Sequence, residues 1–282
     1  MSIKDITIVI TTFKSEEKIR NCLNSIDNRC RVIIVENSNN YEFKKNIEKE
    51  FINVECILTG ANLGYGKANN IGLKKVLSKY ALILNPDTTL HLSTLENFLQ
   101  TTKNIPEFAI MGPYTQEEKN KDNKDYLTII NPTQVVNVKG FAMFLNLSEF
   151  NEIGFFDENF FLYFEDTDLC KRLKKKGKKF YVLSNIKIHH AFGTTPQKKY
   201  RNRLTLIRNW HLYWSSFYYH RKHYGFLKSF TVHLSKLIRF SIMKNIYFLL
   251  NKKKLYYLLN ARSKGLMCQI LDKSAFSGPK IN

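Results

Sequence analysis

Acidic residues almost disappear from the last third of this sequence. Pro196 to Asn282 holds 18 Lys and Arg but one acid, Asp272, whereas Met1 to Thr195 carries 26 bases against 23 acids. The basic block argues against an acidic tail and for an anionic partner; the near-neutral body ahead of it has another task. No uninterrupted apolar run approaches the ~18 residues that span a bilayer. Met1 to Asp5 lacks the basic flank, short apolar stretch and small-residue cleavage site of an export signal. The expectation is a soluble, unexported chain. The five cysteines (Cys22, Cys30, Cys56, Cys170, Cys268) are odd in number, scattered and never spaced C-x-x-C. That argues against a disulfide framework or a structural zinc site and fits a reducing cytoplasm. The glycine spacings of the Rossmann and P-loop fingerprints are also missing, which disfavours a dehydrogenase or a P-loop NTPase.

What is present, 282 residues with 44% hydrophobic content, suffices for one large or two modest domains with their own cores. Short β-branched runs alternate with amphipathic stretches, the pattern of a parallel sheet with helical crossovers. Ile6 to Ile10 reads as the first strand. Ile19, Cys22, Leu23 and Ile26 follow at helical spacing, with Ser15 as N-cap. Val32 to Val35, Val54 to Leu58 and Tyr80 to Leu84 read as further strands, with helical faces on Phe43, Ile47 and Phe51, from Asn70 to about Lys79, and on Leu92, Leu95, Phe98 and Leu99. Phe108 to Met111 is another strand and Thr115 to Asp125 an exposed polar loop. Gln134 to Leu147 is a long β-like run interrupted by Gly140. A helix spans about Asp166 to Lys176 and stops at Gly177. Phe180 to Leu183 and Ile186 to His189 close the body. The fold class expected is α/β.

Polar groups gather at the C-terminal ends of the predicted parallel strands: Thr11 to Phe13, Glu36 to Ser38, Asn62 to Asn70 and Asn85 to Asp87. In an open α/β sheet that edge is where ligands bind, although Asn, Thr and Asp also simply make turns. A strand-end carboxylate such as Asp87 fits a Mg²⁺ or Mn²⁺ ligand or an ordinary turn. Asn62-Leu63-Gly64-Tyr65-Gly66 can bring amides to a phosphate ahead of a helix. Glu165, Asp166 and Asp168 open a helix whose later turns are basic, as the helix dipole favours. The run Phe160 to Phe164 before them can equally form an apolar wall that lifts a carboxyl toward the value a general base needs. His189 and His190 end a β-like run, as ligands or as solvated turn residues.

In this order the segments ITIVITTFKSEEKIRNCLNSI, VIIVENSNN, NLGYGKANNIGL, LILNPDT, GFAMFLN, IGFFDENFFLYFEDTDLCKRLKKKG and IKIHHAFG resemble the family 2 glycosyltransferases of GT-A fold, most closely their rhamnosyltransferase-like branch. The resemblance covers about Ile6 to Thr195. It implies a catalytic domain over 1–195, with a nucleotide-binding half to about 112 and an acceptor-binding half over about 131–195. Thr11, Thr12 and Phe13 would lie against the base of a nucleotide-sugar. Glu36, where many relatives have Asp, would reach base or ribose, and Asn37, Asn62, Gly64, Asn69 and Asn85 would line the cleft. Asp87 would replace the last acid of the D-x-D motif and bind the divalent ion, Mg²⁺ or Mn²⁺; Asn85 stands where that motif has its first acid. Asp166 would be the catalytic base, with Glu165 and Asp168 toward the acceptor. His190, or His189 one position away, would be the second contact to metal or diphosphate. The reaction implied is inverting transfer of a sugar, rhamnose first, from a dTDP- or UDP-linked donor to a lipid-linked or surface-polysaccharide hydroxyl.

After Thr195 the chain reads as helical, with Trp210, Trp214, Phe217, Tyr218 and Tyr219 among arginines and a long amphipathic stretch from Phe226 to Leu250. Such helices lie in a membrane interface, so 196–282 is expected to hold the enzyme peripherally on the inner face of the cell membrane. An ordinary helical subdomain with a basic face is the plainer alternative. A nucleic-acid-binding protein would account for this region only. A sugar nucleotidyltransferase would need a glycine-rich loop where Thr12-Phe13-Lys14-Ser15 stands.

Overall fold

The computed structural model describes residues 2–114, 132–191 and 198–279. Strand β1 (Ile6–Thr12) is buried along its whole length. It lies between β2 (Arg31–Glu36) and β4 (Tyr80–Leu84), both parallel to it, and β3 (Val54–Leu58) continues the sheet beyond β2. Parallel neighbours need crossovers. Helices α1 (Glu16–Asn24), α2 (Tyr41–Glu50) and α3 (Tyr65–Leu73) occur in turn between these four strands. Side-chain alternation divides the strands between two faces. Ile6, Ile8, Ile10, Val32 and Ile34 join Ile19, Leu23, Phe43 and Ile47 in the main core. Ile33 and Val35 turn the other way, to Ala68 of α3.

The chain continues through β5 (Thr88–Leu90), α4 (Thr94–Asn104), β6 (Phe108–Pro113), β7 (Thr133–Val135), β8 (Ala142–Asn146), α5 (Glu165–Lys175), β9 (Lys179–Leu183) and β10 (Ile188–His190). The large sheet has the order β3-β2-β1-β4-β8-β6-β9-β7. Within it β8 is antiparallel to β4 and β6, and β7 to β9. Strands β5 and β10 form a separate antiparallel ribbon with His190 opposite Thr88.

Four local expectations change, the first being that the helix expected from Asn70 to about Lys79 is Tyr65–Leu73. The run Gln134 to Leu147 is two strands, not one, because the Gly140 amide is taken by a side chain rather than by a neighbouring strand. Ser15 precedes α1, but its hydroxyl donates to Phe13 O at 3.0 Å instead of capping the helix. Leu92 is exposed and lies outside the α4 face. The loop expected at Thr115 to Asp125 lies outside the described residues.

Contacts divide the chain into two compact units, Met1–Leu63, Lys67–Phe156 and Asp166–Phe192 in one, and Gly64–Gly66, Asp157–Glu165 and Gly193–Asn282 in the other. The first holds both sheets. The second is built on α6 (Lys198–Tyr224), α7 (Phe226–Leu249) and α8 (Lys253–Ile270). Its core corrects the reading of the aromatics as a membrane face. Trp210 and Trp214 pack with Phe161 and Ala275, and Phe217 packs with Phe240 and Leu266. Trp214 Nε1 donates to Lys273 O at 2.8 Å. Burying two indoles and several phenyl rings among three helices is the strongest driving force this segment has, so these rings are withdrawn from the surface. Phe160 and Phe161 enter the same core, Phe160 edge-on to Tyr218 and Phe161 stacked on His211. Asp157 accepts from Tyr218 at 3.0 Å and Lys222 at 2.7 Å. No described helix is long and apolar enough to cross a membrane.

Candidate active site

Thr11, Thr12 and Glu36 sit where strands of the large sheet end, their backbones still held by the ladder. Thr11 and Thr12 finish β1, and both hydroxyls are buried with no hydrogen-bond partner among the described residues. Buried hydroxyls normally find partners, so this pair is suited to receive a polar ligand. Phe13 follows, half-buried. Glu36 ends β2 opposite Thr12, yet its carboxylate is taken by its own turn: Ser38 Oγ donates at 2.8 Å, and the amides of Ser38 and Asn40 donate at 3.1 and 3.3 Å. Asn37 joins two turns, its amide nitrogen donating to Asn62 Oδ1 at 3.1 Å and its oxygen accepting from Leu63 N at 2.8 Å. Asn69 is fully buried in α3. Gly64 has φ +81°, and any Cβ there would collide with the backbone of Phe161. Of the Asn62–Gly66 amides expected near a phosphate, that of Tyr65 donates to Phe161 O at 2.9 Å.

The β5–β10 ribbon brings the far end of the first unit back to Asp87. His190 Nε2 stands 3.1 Å from Asp87 Oδ1, and the Ala191 amide donates to Asp87 O at 3.0 Å. Of the histidine doublet, His190 turns toward Asp87 while His189 is exposed. Burial pushes the Asp87 carboxyl upward, but the hydrogen bond and charge of His190, with Lys18, outweigh it and hold it below the usual carboxylate range. Asn85 Nδ2 is 3.5 Å from His190 Nε2, the long limit of a hydrogen bond. The His190 ring stacks on Phe141 with centroids 4.7 Å apart.

Asp166, on the first turn of α5, has both oxygens oriented. Oδ2 accepts from Gly140 N at 2.9 Å, and Oδ1 accepts from Thr167 N at 2.6 Å. The chain reaches this helix through Tyr163 and Phe164, both at φ +69°, a left-handed pair that side chains with a Cβ rarely adopt. Such strain persists only where its surroundings enforce it, and it gathers at functional sites. Glu165 is buried and belongs to the helical unit. Asp168, expected toward the acceptor, is fully buried instead, its Oδ2 accepting from Arg172 Nε at 2.8 Å. That guanidinium also bonds Ile153 O and Phe155 O. With no accessible oxygen, Asp168 fixes a loop rather than facing an acceptor.

Two adjacent residues that sequence reasoning did not select tie these groups together. Gly140 holds Asp166 through its amide, while Phe141 accepts from Asn85 N at 2.9 Å and stacks on His190. Asp166 and the Asp87–His190 pair therefore converge on one dipeptide just ahead of β8. The visible signal was the glycine interrupting an otherwise β-like run.

A divalent ion on a diphosphate needs only one or two protein ligands, its shell being completed by phosphate and water. Asp87 and His190 offer one oxygen and one nitrogen, which fits Mg²⁺ or Mn²⁺ bound with a substrate. No group of three or more His, Cys, Asp or Glu able to hold an ion by itself occurs among the described residues.

The sequence profile described as glycosyl transferase family 2 matches residues 7–171. The chain is 25% identical over 195 residues to the low-salt glycan biosynthesis hexosyltransferase Agl10 of Haloferax volcanii, covering 61% of this chain and 62% of that protein. It is 26% identical over 243 residues to rhamnosyltransferase WbbL of Escherichia coli, covering 73% of this chain and 89% of that one. The N-acetylglucosaminyl-diphospho-decaprenol L-rhamnosyltransferase of Mycobacterium tuberculosis is 24% identical over 193 residues, covering 52% of this chain and 62% of its own length. The match thus spans less than two thirds of the first and third of these relatives. Among solved structures, mannosyltransferase PcManGT from Pyrobaculum calidifontis, in complex with GDP-Man and Mn²⁺, superposes with a TM-score of 0.58 at 11% identity, over 95% of this chain and 88% of that one. At that identity the likeness shows the fold, a mixed α/β GT-A architecture followed here by a helical region.

Proposed function

Since the chain belongs to glycosyl transferase family 2, we propose that it transfers a sugar, rhamnose before others, from a nucleoside-diphosphate donor to a hydroxyl of a lipid-linked or surface-polysaccharide acceptor, inverting the anomeric carbon. The observation that carries this reading is the convergence of Asp166 and the Asp87–His190 pair on Gly140-Phe141. A carboxylate that can accept a proton and groups suited to a diphosphate, tied to the same dipeptide, support the reading.

Thr11, Thr12 and Phe13 receive the nucleoside, with Asn37 and Asn62 holding the turn beside it. Asp166 takes the acceptor proton as that oxygen attacks C1 from the face opposite the diphosphate, and the C1–O bond to the diphosphate breaks as the new bond forms. Asp87 and His190 would hold Mg²⁺ or Mn²⁺, which when bound supplies positive charge to the leaving diphosphate. Rhamnose as the sugar is supported by the names of two relatives, a lipid-diphosphate acceptor by one of them, and a metal-assisted donor by the GDP-Man and Mn²⁺ of the structural neighbour. The helical unit holds the enzyme at an anionic surface, the inner face of the cell membrane, where such an acceptor is presented.

A thermal-shift screen of dTDP-, UDP- and GDP-sugars with and without Mn²⁺, followed by transfer to a polyprenyl-diphosphate-sugar acceptor, tests the proposal. A stabilising donor that yields product of inverted configuration supports it. A protein stabilised by none of them, or a product of retained configuration, contradicts it.

A further inference from the structure

The helical unit buries the aromatics that would ordinarily anchor a protein in a membrane interface, yet it leaves a different apolar surface uncovered. Helix α7 turns Ser229, His233 and Phe240 into the unit. Its opposite side carries Leu227, Leu234, Ile238, Ile242 and Leu249, all exposed, at the i, i+4 and i+7 spacings of one stripe. The stripe reaches the C-terminal end of α7, where Phe248 and Leu249 are 68% and 82% exposed, and Leu250, just past the helix, is 57% exposed. Lys252, Lys253 and Lys254 follow directly and are exposed. Lys228 and Arg239 flank the stripe and are exposed too. From Lys198 to Leu271 there is no Asp or Glu.

We infer that the α7 stripe, with Phe248 and Leu250 at its C-terminal end, forms an insertion surface for an anionic phospholipid interface. The apolar residues would enter the acyl boundary, and Lys228, Arg239 and Lys252 to Lys254 would stay at the phosphates. Charge selects this occupant. A symmetric contact between two copies would bring bases against bases with no acid on these helices to offset them, whereas anionic headgroups complement them. Four bases on α7, and the lack of a crossing-competent helix among the described residues, make the element lie on the bilayer rather than traverse it. The inference rests on the proposed lipid-linked acceptor for its purpose only; lipid binding and donor binding are measured separately, so either can fail without the other.

The full chain is floated with vesicles of phosphatidylcholine alone and of phosphatidylcholine mixed with phosphatidylglycerol. Binding is expected to the anionic vesicles, to fall as salt is raised, and to weaken by at least about tenfold in Phe248→Ser/Leu249→Ser, whose exposed changes leave the melting temperature unaltered. A charge variant, Lys252→Glu/Lys253→Glu, should lose binding to the same vesicles. Three results would overturn the inference: no binding to anionic vesicles, equal binding by wild type and the apolar variant, or lipid-free self-association that the apolar variant abolishes.

Discussion

Asp166 Oδ2 lies 2.9 Å from the amide of Gly140, and a Cβ at position 140 would stand 3.2 Å from that same oxygen. The glycine thus both holds the carboxylate and leaves room for it. Gly140→Ala introduces a contact tighter than ordinary packing, with the carboxylate as the group that gives way. The expected outcome is a kcat lower by about tenfold with donor affinity unchanged, since small misplacements of a reacting group are costly. Steady-state kinetics beside donor titration separates this from general loss of structure, which would lower both.

The Asp168–Arg172 pair is fully buried on its acidic side. Removing one member of such a pair costs about 3–5 kcal/mol, because the other charge remains without its partner. Asp168→Ala should lower the melting temperature sharply, whereas at a temperature where it is still folded its KM for acceptor should match wild type. A raised acceptor KM without destabilisation would return Asp168 to the acceptor site.

Burial pushes His211 and His233 down to about 4. In the unfolded chain an imidazole titrates near ~6.5, so between these values the unfolded state binds more protons. The contribution of the two neutral histidines is present above about pH 6.5 and is lost as pH falls toward about 4, on the order of 3 kcal/mol each at most. Unfolding curves from neutral to acid pH should show this loss. In His233→Gln, which keeps a polar group but cannot titrate, the slope should be shallower.

Burial also pushes the thiols of Cys22, Cys30, Cys56 and Cys170 up to about 12. Cys268 is the partly exposed one. Thiolate is the reactive form. A thiol-specific reagent should therefore modify Cys268 in the folded protein and all five cysteines after denaturation, as peptide mapping would show.

The strands of the first half were legible because short apolar runs bounded by polar turns declare themselves without any remote partner. Tyr80–Leu84 and Val54–Leu58 fall where their residues predict. Short elements that depend on remote partners were not legible. Thr88–Leu90 is a strand only because Ile188–His190 pairs with it, and that pairing decides which histidine turns toward Asp87. Asp168 read as part of an acidic triplet because spacing along a helix does not reveal that Arg172, four residues on, faces it in the interior. The aromatics of α6 read as a surface because a single helix does not show that two others will cover it. Gly140 showed only as a break in a β-like run and Phe141 as part of a resembling segment, since an amide and a ring face act through position alone.

The central claim is that Asp166 and Asp87 serve one bound donor in different roles, and paired kinetics of two variants tests it most directly. Asp166→Asn should bind the nucleotide-sugar as wild type does while losing about 10²–10⁴-fold in kcat, and Asp87→Asn should lose affinity for the nucleoside diphosphate. Transfer at the wild-type rate by Asp166→Asn, or undiminished diphosphate binding by Asp87→Asn, would contradict the account.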